Sequence, residues 1–245
     1  MPDQNSRDRA VRTMFDQIAR RYDLLNRVIS LRLDIHWRKQ AIAAAVQSGN
    51  ETVLDLGTGT GDLAFTAAPR LTGGKIVGVD FSVAMLRIAE AKRAKTAHPS
   101  RVSFVLGSAL ALPFRDQTFD AVVTAFVLRN ISNLDLFFAN SYRALKPGGR
   151  LVALDMFPPA RGWFSALYSL YFHRWVPWLG RILGGHRSAY SYLSESVRRF
   201  DPPEAITEKM RHSGFSRVTL QKFLSGAVCM HIGQKTVVQP ETVDV

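Results

Sequence analysis

The chain has 245 residues, a formal net charge of +12 and a single cysteine. That length supports one α/β domain whose core needs no disulfide or metal staple, and Cys229 alone cannot make an internal bridge. No signal or transit peptide is expected, and no apolar run reaches the ~20 residues of a membrane span. The positive charge asks for an anionic partner such as nucleic acid or a lipid surface.

Taken in order, residues 1–10 are polar and expected to fray. Val11, Met14, Phe15, Ile18 and Tyr22 then recur at helical spacing and Leu25, Val28 and Ile29 continue the pattern, which predicts a helical arm with a basic face of Arg20, Arg21, Arg27, Arg32, Arg38 and Lys39. A second helix is predicted over 37–46. Strand 52–56 runs into glycines at 57, 59 and 61, and helix 61–69 follows. Strand 75–80 leads to a helix capped by Ser82 and reaching about residue 95. A third strand is predicted at 102–107, a fourth at 119–128, a helix at 133–145, and a tight Lys146-Pro147-Gly148-Gly149 turn into strand 150–156. This alternation implies a parallel, doubly wound sheet. Between Asp155 and Glu195 there is no acidic residue, and three of the four tryptophans lie there. Apolar rings with basic punctuation suit a helical lid at an interface. Helix 203–213 and strands 215–223 and 226–235, an antiparallel edge pair, complete the fold, and a tail after Lys235 is expected to be disordered. The resulting division is an arm (1–50), a cofactor-binding core (51–156), an aromatic and basic insert (157–200), a C-terminal helix with edge strands (201–235) and a tail (236–245).

The turn at 57–61 is read as a ligand seat, because glycines let a ligand lie against peptide groups at a helix N-terminus. A dinucleotide fingerprint has the spacing G-x-G-x-x-G. Here the third glycine comes one residue early and Asp62 stands where that pattern has glycine, a carboxylate that would repel a pyrophosphate. Asp55-x-Gly57-x-Gly59-x-Gly61 suits a ligand without phosphates and with a cationic amino-acid end, such as S-adenosylmethionine. Asp80, about twenty residues on, is placed to accept both ribose hydroxyls. Phe81 and Met85 offer apolar surface to an adenine ring, Ser108 and Ala109 its edge, and Thr60 a hydroxyl to the methionine part. Together these residues resemble the cofactor half of a Rossmann-like methyltransferase. Arg129 and Asn130, closing strand four, put a cation and an amide beside the methyl donor. No His or Cys cluster has ligand spacing, so no metal is expected.

Beyond the turn, the chain resembles the menaquinone and ubiquinone biosynthesis C-methyltransferases over roughly residues 11–235. The resemblance is carried by MFDQIARRYDLLNRVIS, VLDLGTGTGDL, LPFRDQTFD, FVLRN, LKPGGRL, YSYLSESVRRF, GFSRVTL and GAVCMHIGQK. It implies a class I S-adenosylmethionine-dependent fold with the arm and an insert after strand five. It also implies methylation of a polyprenyl quinol ring carbon; because nothing suggests a mitochondrial address, demethylmenaquinol is the expected acceptor, with a ubiquinone-pathway benzoquinol as the alternative. It assigns Thr60, Asp80, Ser108 and Ala109 to the cofactor and Tyr22, Arg129 and Asn130 to the acceptor. Asp34, Ser108 and Val127 stand where the family commonly has His, Asp or Asn, and Gly. A quinol proton would pass to water or to a histidine such as His173 or His186. A polyprenyl tail implies peripheral contact with the inner face of the membrane, through basic residues including Arg174, Arg181 and Arg187, from a cytoplasmic location. Nucleic acid is not expected as a partner, and an oligomer is permitted. RNA methylation, or a methyltransferase-like binding or scaffold role, are the rival readings.

Overall fold

In the computed structural model the described residues are 4–158 and 187–237. Seven strands form one sheet in the order β3-β2-β1-β4-β5-β7-β6. β1 (Thr52–Leu56), β2 (Lys75–Asp80), β3 (Val102–Leu106), β4 (Phe119–Ala125) and β5 (Leu145–Met156) are parallel. β7 (Val228–Lys235) lies antiparallel between β5 and β6 (Phe215–Phe223), as the sequence suggests for the closing pair. Strand order reverses at β1, with β2 on one side and β4 on the other, so a ligand crevice is expected at the carboxyl ends of these strands.

Alternate residues feed two cores. Val53, Ala121 and Val123 pack on one face with Trp37, Ala41 and Ile42 of α3 (Leu33–Ala45) and Leu63 and Ala64 of α4 (Asp62–Ala67). Leu54, Leu56 and Val122 pack on the other, with Phe137 and Phe138 of α6 (Leu134–Ala144) and Ile206 and Met210 of α8 (Pro203–His212). Burial on both faces explains why these strands read as unbroken apolar runs. The Ser82 side chain caps α5 (Val83–Arg93) by accepting from Met85 N–H, and Asn133 caps α6 in the same way.

Four expectations need correction. Residues 4–10 are helical, because α1 runs from Gln4 to Ile18 and docks on the fold. The arm then breaks into a 3-10 turn (Ala19–Arg21), α2 (Tyr22–Ile29) and α3, which starts at Leu33, before the predicted 37. β4 stops at Ala125, short of the predicted 128: Phe126 takes φ +65°, and Leu128–Asn130 form a 3-10 turn. The run FVL is apolar because it is buried in that turn, with Phe126 against Trp37 and under the Arg38 guanidinium, 5.3 Å from the ring centre. The Lys146–Gly149 turn lies within β5 as a bulge, Phe119 pairing with Leu145 and Ala121 with Arg150. Of the aromatic insert, residues 159–186 lie outside the described residues, as do His173, His186, Arg174 and Arg181; α7 (Arg187–Arg198) follows them. Residues 238–245 of the expected tail lie outside them too.

Candidate active site

The glycine turn is held from below by backbone and by one carboxylate. Gly57 and Thr58 N–H donate to Val79 O, and Gly59 N–H donates to Asp80 Oδ2 at 2.8 Å. Asp80 Oδ1 accepts from Ser82 N–H at 2.8 Å, so the acid that ends β2 ties turn and helix together. Burial raises the Asp80 pKa, and its amide partners offset this only in part. A cavity of about 490 Å³ opens here between the strand ends and α1. Its walls include Gly57, Asp80, Phe81, Ser108, Ala109 and Asn130.

At Gly57 (φ +70°) an added Cβ would lie 2.5 Å from Val127 Cγ2. The position needs glycine for both conformation and space. A Cβ added at Gly59 (φ +56°) would meet the Tyr22 ring at 3.9 Å, so the arm lies over the turn. Gly57, Gly59, Asp80, Phe81 and Met85 line a narrow junction with Phe15, Tyr22, Phe126, Val127 and Asn130. These walls fit the methyl donor: bare peptide surface, a paired acid and an aromatic ring.

Three of the sequence-assigned cofactor residues stand behind that wall. Asp55 is 1% exposed and accepts from Thr58 Oγ1 at 2.7 Å; burial pushes its carboxyl up to about 7. Gly61 faces the Phe65 and Phe104 rings. The Thr60 hydroxyl donates to Asp23 Oδ1 at 2.5 Å and accepts from Lys92 Nζ, so it serves the arm.

Asp62 also faces the arm. Arg27 and Lys92 contact it at 3.0 and 2.7 Å, Arg38 lies 3.8 Å away, and Lys92 reaches Asp23 at 2.6 Å. Burial would raise the Asp62 pKa, but these cations hold it below the ordinary carboxylate value. Asp34 continues the chain of charges by pairing with Arg38 and accepting from Ser30 at 2.7 Å. Asp62 is thus tied into the arm, its carboxylate fastening α2 and α3 to the turn.

On the far side of the junction a second, smaller cavity brings together all three acceptor residues assigned from sequence, Tyr22, Arg129 and Asn130. Met14, Phe15, Ile18, Leu25 and Ile29 make it apolar. Arg129 donates to Asp155 Oδ1 at 2.5 Å, and Asp155 is fully buried. The guanidinium thus acts beside a counter-charge, which weakens its reach as a free cation. Arg129 Nε is a buried donor without a hydrogen-bond partner among the described residues, and Asn26 hydrogen-bonds the Tyr22 hydroxyl. Burial raises the Tyr22 pKa, and Arg129 offsets part of that rise.

Sequence reasoning missed two groups. Asp8, Arg9, Val11 and Arg12 of α1 line the larger cavity, and Asp8 and Asp16 fasten the helix to Ser132 and Ser82. Their signal was the helical spacing 8, 11, 12, 15, hidden by the polarity of the first turns. Tyr192 of α7 lines the smaller cavity and donates to Asn130 Oδ1 at 3.0 Å.

The sequence matches the ubiE/COQ5 methyltransferase family over residues 3–235. The chain belongs to that family. It is 44% identical to the demethylmenaquinone methyltransferase of Thermus thermophilus, over 91% of this chain and all of that one. Identity to the enzyme of the same description from Deinococcus radiodurans is 42%, over 95% of each. Among solved structures, an S-adenosylmethionine-dependent methyltransferase from Thermotoga maritima superposes with a TM-score of 0.63 at 20% identity, covering 92% of this chain and 99% of that one. This methyltransferase has the Rossmann-like class I fold and uses S-adenosylmethionine as methyl donor.

Proposed function

We propose that this methyltransferase methylates a ring carbon of a polyprenyl quinol, demethylmenaquinol, at the inner surface of the membrane. The observation that carries this reading is the smaller cavity, an apolar box with a buried donor, Arg129 Nε, that has no hydrogen-bond partner among the described residues. Such a donor costs ~1–3 kcal/mol when left unmet, and a ring bearing an oxygen would relieve that cost while filling the apolar space. The names of the Thermus and Deinococcus relatives point to the same substrate class.

S-adenosylmethionine supplies an electrophilic methyl group when bound; Gly57, Gly59, Asp80, Phe81, Ser108 and Ala109 would hold it. The chain's own residues prepare the acceptor. A quinol hydroxyl has a phenol-like pKa near ~10; its ionisation, with the proton passing to water, raises electron density on the adjacent ring carbon, which gains the methyl and then gives up its own hydrogen as a second proton to water. Arg129 stays protonated and is no base. Its guanidinium, anchored by Asp155, and the Asn130 amide favour the ionised oxygen by hydrogen bonding. Tyr22 stays protonated, since burial raises its pKa, and packs the ring against the turn. α1 contributes walls to both cavities.

A polyprenyl tail holds its ring near the bilayer, and the arm offers a surface for that. Leu24, Leu31 and Leu33 are 52%, 72% and 39% exposed, beside exposed Arg20, Arg21, Arg32 and Lys39. Among the described residues no helix is long and apolar enough to cross a membrane. Peripheral binding through exposed leucines and basic groups therefore fits the arm.

The test supplies the protein and S-adenosylmethionine with anionic phospholipid vesicles carrying either demethylmenaquinol or a polyprenyl benzoquinol lacking the same ring methyl. Faster methylation of demethylmenaquinol is expected, with weaker vesicle binding and slower turnover when the lipid is zwitterionic. Methylation of the benzoquinol alone would move the substrate to the ubiquinone pathway, and methylation of neither would overturn the reading.

A further inference from the structure

The YSYLSESVRRF stretch plays no part in the steps above, yet it forms α7 and brings Tyr192 into the acceptor cavity. Tyr192 shares that wall with Tyr22, Arg129 and Asn130. Its hydroxyl donates to Asn130 Oδ1 at 3.0 Å. Asn130 lines the donor cleft, the junction and the acceptor cavity, so its amide is the polar group shared by both reactants' compartments. A side-chain amide has two faces of opposite character, a carbonyl that accepts and an NH₂ that donates. Which face meets the ring oxygen depends on what holds the other. Among the described residues Asn130 Nδ2 has a single 3.4 Å contact, to Phe126 O, at the outer limit of a hydrogen bond, so its own turn fixes it weakly. The Tyr192 hydroxyl on Oδ1 is the shorter and stronger constraint.

We propose that Tyr192 is a positioning residue for methyl transfer, holding the Asn130 carbonyl so that the amide NH₂ is presented to the oxygen of the acceptor ring. The ring carbon is thereby aimed at the junction. Tyr192 acts through Asn130, and the inference rests on the quinol-methylation reading. It makes α7 part of the acceptor site, so the site is complete only when the helix that follows the insert is docked.

The test is a double-mutant cycle with Tyr192→Phe and Asn130→Ala, assayed on demethylmenaquinol. Tyr192→Phe should lower kcat about three- to tenfold, the scale of one net hydrogen bond, with a KM for the quinol changed by less than about twofold. Added to Asn130→Ala it should do nothing further, because the group it orients is gone. The affinity for S-adenosylmethionine by calorimetry should be unchanged. In cofactor-free protein labelled with ¹⁵N-asparagine, the side-chain amide signal absent from Asn130→Ala should shift or broaden in Tyr192→Phe. A kcat within about twofold of the parent, an undiminished effect in the Asn130→Ala background, or an unmoved amide signal would overturn the proposal. An inactive parent protein would instead refute the quinol reading, while the amide signal would still report whether Tyr192 holds Asn130.

Discussion

The donor cleft and the acceptor cavity meet at Asn130 but are built on different principles. The cleft is a backbone structure: strand ends, a glycine turn and Asp80, whose oxygens take the amides of Gly59 and Ser82. The turn, Asp80 and Ser108 follow β1, β2 and β3 in succession, within about fifty residues of chain. The acceptor cavity is a side-chain structure, assembled from α1, α2, the 3-10 turn after β4, and α7. Its polar groups depend on partners elsewhere, Arg129 on Asp155 and Asn130 on Tyr192. A backbone seat recognises one invariant ligand and tolerates change in its side chains. A side-chain box can be refitted to a new acceptor while the seat is left intact.

The contrast predicts where damage falls. The largest effect should come from Asp155→Ala, which strands the buried Arg129 without its counter-charge. A loss of ~3–5 kcal/mol in stability is expected from urea unfolding, and a change under ~1 kcal/mol would show that the pair is dispensable. Next, Gly57→Ala drives a Cβ to 2.5 Å from Val127 Cγ2 at a positive φ. The affinity for S-adenosylmethionine should fall ~10- to 100-fold by calorimetry, at ~1–3 kcal/mol for backbone strain. Unchanged affinity would mean that the turn does not form the seat.

A smaller and pH-dependent effect is expected at Asp55. Its folded pKa of about 7 lies above its ordinary 3.8, so the folded state binds the proton more tightly. The stability gained from that proton is complete below about pH 4 and is lost as pH rises to about 7. Asp55→Asn should therefore gain on the parent in thermal stability between pH 5 and 8. A constant difference across that range would remove buried Asp55 as the titrating group. The mildest change should be Lys92→Met, which opens the clasp to Asp23 and Asp62 on a part-exposed side chain. Stability should drop by at most ~1 kcal/mol, while proteolysis within the arm should quicken. An arm as resistant as the parent's would show that other contacts hold it.

Much of the cleft was legible because strand, turn and acid follow one another locally. The apolar runs at 52–56 and 75–80 form β1 and β2, and the glycines between them form the turn that lines the cleft. What was illegible depended on tertiary partners. Phe126 and Leu128 continue an apolar run, and only burial of the turn separates them from β4. The charge of Asp62 suggested ligand selection, since its three cations come from the arm and α5, at least 24 residues away. Polarity hid the helical character of residues 4–10. Arg129 and Asn130 could be placed at the end of a strand, but Tyr192 adjoins them only once α7 docks, 62 residues along the chain.

Methyl transfer from S-adenosylmethionine labelled with ¹³C in its methyl group, with demethylmenaquinol as acceptor, tests the central claim most directly. The account predicts one ¹³C methyl on the quinone ring carbon for each S-adenosylhomocysteine formed, and loss of transfer in Gly57→Ala. Label on a ring oxygen, or no label from a protein that binds both ligands, would contradict it.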